Sequence, residues 1–132
     1  DDPHEDLFDF YAVTLDALAQ GGAPAPALRA FEKRLLAEVG YAPALELDAD
    51  SRPVDPDALY VYEPERGPVP ARGAPAGEPV VSGRTLLELA RDDYARPQTR
   101  DEARALMRML IGHRLQGQVL HTRAILVELN EL

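Results

Sequence analysis

The 132 residues carry 23 acidic and 14 basic side chains, a net charge of −9, with no Cys and three scattered His, His4, His113 and His121. The lack of Cys excludes disulfides and thiolate metal sites, the His spacing offers no ligand pair, and no run approaches the ~20 apolar residues of a membrane span, so a soluble cytoplasmic protein without metal or cofactor is expected. Residues 1–50 hold 11 acidic and 3 basic side chains against 12 and 11 in residues 51–132, and a surface this acidic opposes stand-alone binding to a phosphate backbone.

Asp2, Pro3 and Glu5 read as the N-cap, first position and capping-box acid of a first helix, with Leu7, Phe10, Tyr11, Thr14, Ala17 and Leu18 on one face and Gly21–Gly22 as its stop. After the loop GGAPAP, Pro26 opens a second helix whose stripe is Leu28, Phe31, Leu35 and Val39, ended by Gly40. On its flank Arg29, Lys33 and Leu36 project together, so cation and apolar surface adjoin. A solvated basic face beside a core leucine is the plain reading of that flank.

Residues 41–81 hold eight Pro and almost no helical periodicity, so they form a connecting insert. Leu59–Tyr62 reads as a short strand, Pro64–Gly67 as a turn and Val69 as the start of a returning strand, at most a small hairpin. Pro70–Pro79 reads as a mobile loop, and Tyr41, Tyr60 and Tyr62 as a lid on the helices, since no basic cluster flanks them. A third helix starts near Ser82 and packs Leu86, Leu89 and Ala90.

Thr99 and Glu102 have the spacing of a capping box, which starts a fourth helix near Arg100. Its apolar stripe is Ala103, Leu106, Met107, Leu110 and Ile111, bordered by Arg100, Arg104 and Arg108. That cationic border either frames a core with its alkyl stems or forms an anion-docking ridge. A fifth helix from about Thr122 turns Ile125, Leu126, Leu129 and Leu132 inward. The expected fold is a single all-α, five-helix domain over residues 1–132, with the Pro-rich insert at 41–81. There is no Cys nucleophile, no phosphate-cradling glycine pattern and no Ser/His/Asp signature, so an enzyme is not expected.

Four collinear segments then carry a resemblance: PALRAFEKRLLAEVGYAP (26–43), YVYEPERGPVPA (60–71), SGRTLLELA (82–90), and ARALMRML with the later L-x-G-x-x-L-x-T-R (115–123). Together they resemble the C-terminal helical domain of RecO, a bacterial recombination mediator of DNA repair. Many members of that family place a four-cysteine zinc site in the middle region; here Asp48 and Ser51 stand at its first pair, so the resemblance is to the variant without zinc. In the closing motif Gln118 and His121 are among the residues that replace the family's usual ones, and two cations are lost there.

The resemblance implies a protein that anneals complementary strands and loads recombinase onto single-stranded DNA coated by its binding protein, SSB. It also implies an N-terminal OB-fold barrel that is absent from these residues and would carry the DNA contact, and a recombination partner, RecR, met through the full-length protein. For this domain it implies docking of the acidic C-terminal tail of SSB. Such a tail needs a guanidinium for its terminal carboxylate, cations for its aspartates and an apolar wall for its last ring. Arg29 is the residue expected to take the carboxylate, Lys33 to face the acidic run, Leu28 or Leu36 to form the wall, and Arg108 and Arg123 to supply outer charge. The alternative is a purely structural helical domain that braces the missing barrel.

Overall fold

Two of the expected helix stops are Schellman-type turns or glycine turns in the computed structural model, which describes residues 13–72 and 79–116. Helix α1 covers residues 13–20 among these and gives way at Gly21–Gly22, where Gly22 has φ +75°. Helix α2, Ala25–Glu38, has Pro24 as its N-cap and Pro in its first turn. Its end is a Schellman motif: Gly40, at φ +78°, donates to Ala37 O and Tyr41 donates to Leu36 O. The N-terminal features expected from Asp2 to Tyr11, and the fifth helix, lie outside the described residues.

The chain divides into two compact units, Asp1–Ala42 with Met107–Leu132, and Pro43–Leu106. In the first, Leu15, Leu35, Leu36, Met107, Leu110 and Ile111 are buried. Helix α2 is rotated from its expected stripe: Arg29, Glu32, Leu35 and Leu36 are buried, whereas Leu28, Phe31 and Val39 are only half-buried. Positions 29, 32 and 36 share a helical face, and the two charged members compensate each other on it.

The second unit corrects the all-α expectation. Strands β1 (Leu59–Glu63), β2 (Gly67–Pro70) and β3 (Val81–Ser82) form an antiparallel sheet in the order β2-β1-β3, and four helices are present among the described residues. The hairpin is where the sequence places it, with Val61 opposite Val69 and Gly67 at φ +98° closing the turn. What the pattern does not announce is β3, two residues that pair Leu59 with Ser82 and Tyr60 with Val81. Two residues are too few to display alternation. Tyr60 and Tyr62 are buried, and their hydroxyls are used: Tyr60 accepts from Asp55 N–H and Tyr62 donates to Ala44 O.

Between Leu47 and Pro53 a carboxylate organises the loop. Asp48 Oδ1 accepts from the backbone N–H of Asp50 at 2.8 Å and of Arg52 at 3.0 Å, while Leu47 bridges Pro53. Ser51 takes φ +63° inside that turn.

Helix α3, Gly83–Ala90, starts on Ser82, whose hydroxyl accepts from Arg84 N–H as an N-cap. Helix α4, Pro97–Gln116, starts earlier than expected, because Pro97 opens it and Arg100 already donates to Arg96 O. The Thr99–Glu102 capping box does not form. Thr99 is fully buried within the first turn and donates to Glu88 Oε1 at 2.6 Å, and Glu102 accepts from Ser82 N–H and from the Thr85 hydroxyl. The stripe Ala103, Leu106, Met107, Leu110 and Ile111 is buried throughout, as its spacing predicts.

Glu88 anchors the polar interior of this unit. Thr99 donates to it first, and against the cost of burial Arg84 and Arg96 add hydrogen bonds and charge, so its carboxyl falls from an ordinary 4.5 to about 2. At Glu102 burial pushes upward, yet the donors Ser82, Thr85 and Gln98 with the charge of Arg96 hold it below its ordinary value. A depressed folded value means that Glu88 stabilises fully above pH 4.5 and loses that contribution as the pH falls toward about 2. Urea titrations of wild type and Glu88→Gln should therefore differ most near neutrality and converge on acidification; a gap that stays constant with pH would contradict this role.

Candidate partner-peptide site

Arg29, on the buried face of α2, is 2% exposed, and its Nε donates to Oε1 of Glu32 three residues on. Glu32 is fully buried. Arg108, reaching in from α4, places its Nε 3.6 Å from the other oxygen, Oε2, which is ion-pair distance but too long for a hydrogen bond. Two guanidinium groups from two helices thus address the two oxygens of one carboxylate. A buried ion is tolerated only where such compensation exists, since removing it from water costs several kcal/mol.

The expected residues are distributed unevenly around this cluster. Arg29 and Arg108 are brought together, through Glu32. Leu36 is 1% exposed and belongs to the core, Leu28 and Lys33 are half-buried, and Arg123 lies outside the described residues. Arg108 keeps a fifth of its side chain in solvent, so it is the accessible end of the cluster.

Two participants escape a reading of the sequence. Glu32 is one, although its i, i+3 relation to Arg29 is the spacing of a helical ion pair. The other is Arg114, which lies 5.5 Å over the Tyr41 ring and donates to Val39 O at 3.4 Å, placing a cation at the negative end of α2. The remaining arginines of the border behave differently: Arg100 is exposed and bonds Tyr94 O and Ala95 O, and Arg104 is exposed.

The family model described as "Recombination protein O C terminal" matches residues 1–124. The chain belongs to the RecO C-terminal family. Curated RecO proteins agree: the DNA repair protein RecO of Aromatoleum aromaticum is 49% identical, with all of this chain and 55% of the relative covered. Those of Ralstonia nicotianae and Thiobacillus denitrificans are each 47% identical, covering 100% and 99% of this chain and 49% and 54% of the relative. The chain spans about half the length of the curated RecO relatives it matches. Among the described residues no helix is long and apolar enough to cross a membrane.

Proposed function

We propose that this RecO-family domain is a protein-interaction module of a recombination mediator in DNA repair, and that it docks the acidic C-terminal tail of single-stranded DNA-binding protein. The observation that carries the reading is the convergence of Arg29 and Arg108, from α2 and α4, on a single carboxylate. A place that already holds one carboxylate with two guanidiniums has the chemistry a peptide's terminal carboxylate requires. Lys33, one residue after Glu32 and half-buried, adds a cation for the aspartates of the tail. DNA annealing, recombinase loading and a RecR contact belong, in this reading, to the full-length protein.

Burial imposes an order on the encounter. The tail meets Arg108 and Lys33 first, and reaches Arg29 only by taking the place of Glu32. Glu32→Gln, which keeps the shape and removes the competing charge, should therefore bind a labelled tail peptide several-fold more tightly in fluorescence anisotropy. Arg108→Ala should bind it more weakly, by the ~2 kcal/mol typical of a central arginine in an interface. Wild-type binding that neither substitution changes would show that the tail docks elsewhere.

The 2% exposure of Arg29 also favours a second reading, in which the cluster only fastens α2 to α4 and the domain is structural. In that case the wild type does not bind the tail, and Glu32→Gln changes stability alone.

A further inference from the structure

Four arginines among the described residues are wholly or partly shielded from solvent: Arg29, Arg96, Arg108 and Arg114. Three of them hold a carboxylate, Arg29 and Arg108 that of Glu32 and Arg96 that of Glu88. Arg114 holds none. Its one hydrogen bond among the described residues, from Nη2 to Val39 O, is long at 3.4 Å, and its Nε is sealed from solvent with no hydrogen-bond partner. A guanidinium carries five N–H donors and keeps its charge at any ordinary pH, so this group is under-used in a way that the other three are not.

Its place in the helix makes the vacancy of partners more pointed. Arg114 lies three residues after Ile111 and four after Leu110, so it continues the buried stripe of α4 at a position where an apolar side chain is the ordinary choice. The Tyr41 ring stacks on the guanidinium, 5.5 Å from ring centroid to Cζ, and holds the fork by its flat face. No acid is at hand to pair with it. From Ala103 to Gln116, α4 has Arg104, Arg108 and Arg114 but no Asp or Glu, and Glu38, beside Val39, pairs with Arg34 on the exposed side of α2.

We propose that Arg114, braced by Tyr41, is a second carboxylate-binding point, and that its ligand is an aspartate or glutamate side chain of an acidic peptide. Arg114 stands six residues beyond Arg108, roughly 9 Å along the helix at 1.5 Å per residue. Both arginines reach α2, one at Val39 and the other at Glu32. An extended peptide covers that rise in about three residues, so one peptide can give a carboxylate to Arg108 and an acidic side chain further along to Arg114. The identity of that peptide rests on the tail-docking reading. There, Arg114 takes an aspartate of the acidic run while the terminal carboxylate stays with Arg108 and Arg29.

The test uses full-length protein and a labelled heptapeptide of aspartate with an amidated end, which has acidic side chains and no terminal carboxylate, read by fluorescence anisotropy. Wild type should bind it, the asparagine heptapeptide should not compete, and Arg114→Gln should weaken binding several-fold. Arg114→Lys, which keeps the charge and loses the fork, should fall between the two. Arg52→Gln removes the same charge from an exposed position and should bind as wild type does. No binding by wild type, equal binding by Arg114→Gln, or equal losses in Arg114→Gln and Arg52→Gln would each overturn the proposal. Unchanged binding with a lowered denaturation midpoint would leave Arg114 as a cap on α2 alone. Sodium acetate that competes as well as the peptide at equal carboxylate concentration would overturn the peptide as ligand and assign the point to a small free carboxylate. Heptapeptide binding that needs Arg114, beside tail binding that Glu32→Gln and Arg108→Ala leave unchanged, would sink the tail reading and keep this site.

Discussion

Arg29→Ala should destabilise the domain by about 3–5 kcal/mol, the usual cost of breaking a buried ion pair by deleting one partner. The loss comes less from the missing guanidinium than from the carboxylate left behind. Glu32 is fully buried, and Arg108 stands 3.6 Å from Oε2, the oxygen other than the one Arg29 Nε contacts. Arg29→Met combined with Glu32→Leu should recover most of the stability, since apolar side chains of similar volume can replace a buried pair at little net cost. Arg108 is part-exposed and can then turn its head to water. Urea denaturation followed by circular dichroism measures all three proteins; an unchanged midpoint for Arg29→Ala would mean that the pair carries no stability. The experiment also guards the binding assay, because a weaker Arg29→Ala signal has meaning only where the variant remains folded.

How much of this was legible in the sequence depended on whether the determining partner was local. The stripe on α4 was legible because Ala103, Leu106, Met107, Leu110 and Ile111 recur at helical spacing, and all are buried. Ser82 and the Gly67 turn were legible for the same reason, each being a short-range backbone device. Thr99 and Glu102 looked equally local and were not: their side chains are claimed by Glu88, Ser82 and Thr85, which are 11 to 20 residues away. Tertiary partners outcompeted the cap, and Pro97 fixed the helix start instead. The all-α expectation failed through β3, whose two residues pair correctly but are too short to leave a pattern.

At the candidate site the limit was of another kind. Arg29 and Arg108 stand out in the sequence as cations, yet a charge at helical spacing is ordinarily a solvated one. Nothing in the pattern marks Glu32 as a buried anion, because the compensation that permits its burial comes partly from α4, dozens of positions later. The inward placement of Leu36 has a related cause. Leu36 shares the buried face of α2 with Arg29, so the two that appeared to form an open flank are packed inward together.

Gly83→Ala should be the more damaging of two simple glycine substitutions, costing about 3 kcal/mol or more, at the upper end of overpacking penalties. Gly83 sits at the first position of α3 with ordinary helical geometry, where helix propensity alone would favour alanine. Space decides against it. An added Cβ would lie 1.9 Å from Asp55 O, 2.9 Å from Asp55 C and 3.0 Å from the Tyr60 ring. The obstacle is backbone, and that backbone is pinned: Asp55 O accepts from Ala58, Ala58 O accepts from Gly83, and Pro56 O accepts from Arg84. Relief therefore requires α3 to move off the 55–58 turn, giving up those bonds and the packing of Tyr60 beneath it. Gly40→Ala provides the contrast, since nothing lies within 4 Å of a Cβ there and only the left-handed φ of +78° opposes the change. That conformational penalty is about 1–2 kcal/mol. Denaturation midpoints should rank wild type above Gly40→Ala and Gly40→Ala above Gly83→Ala; the reverse order would mean that the 55–58 turn yields easily and that the contact with α3 is not what fixes this unit.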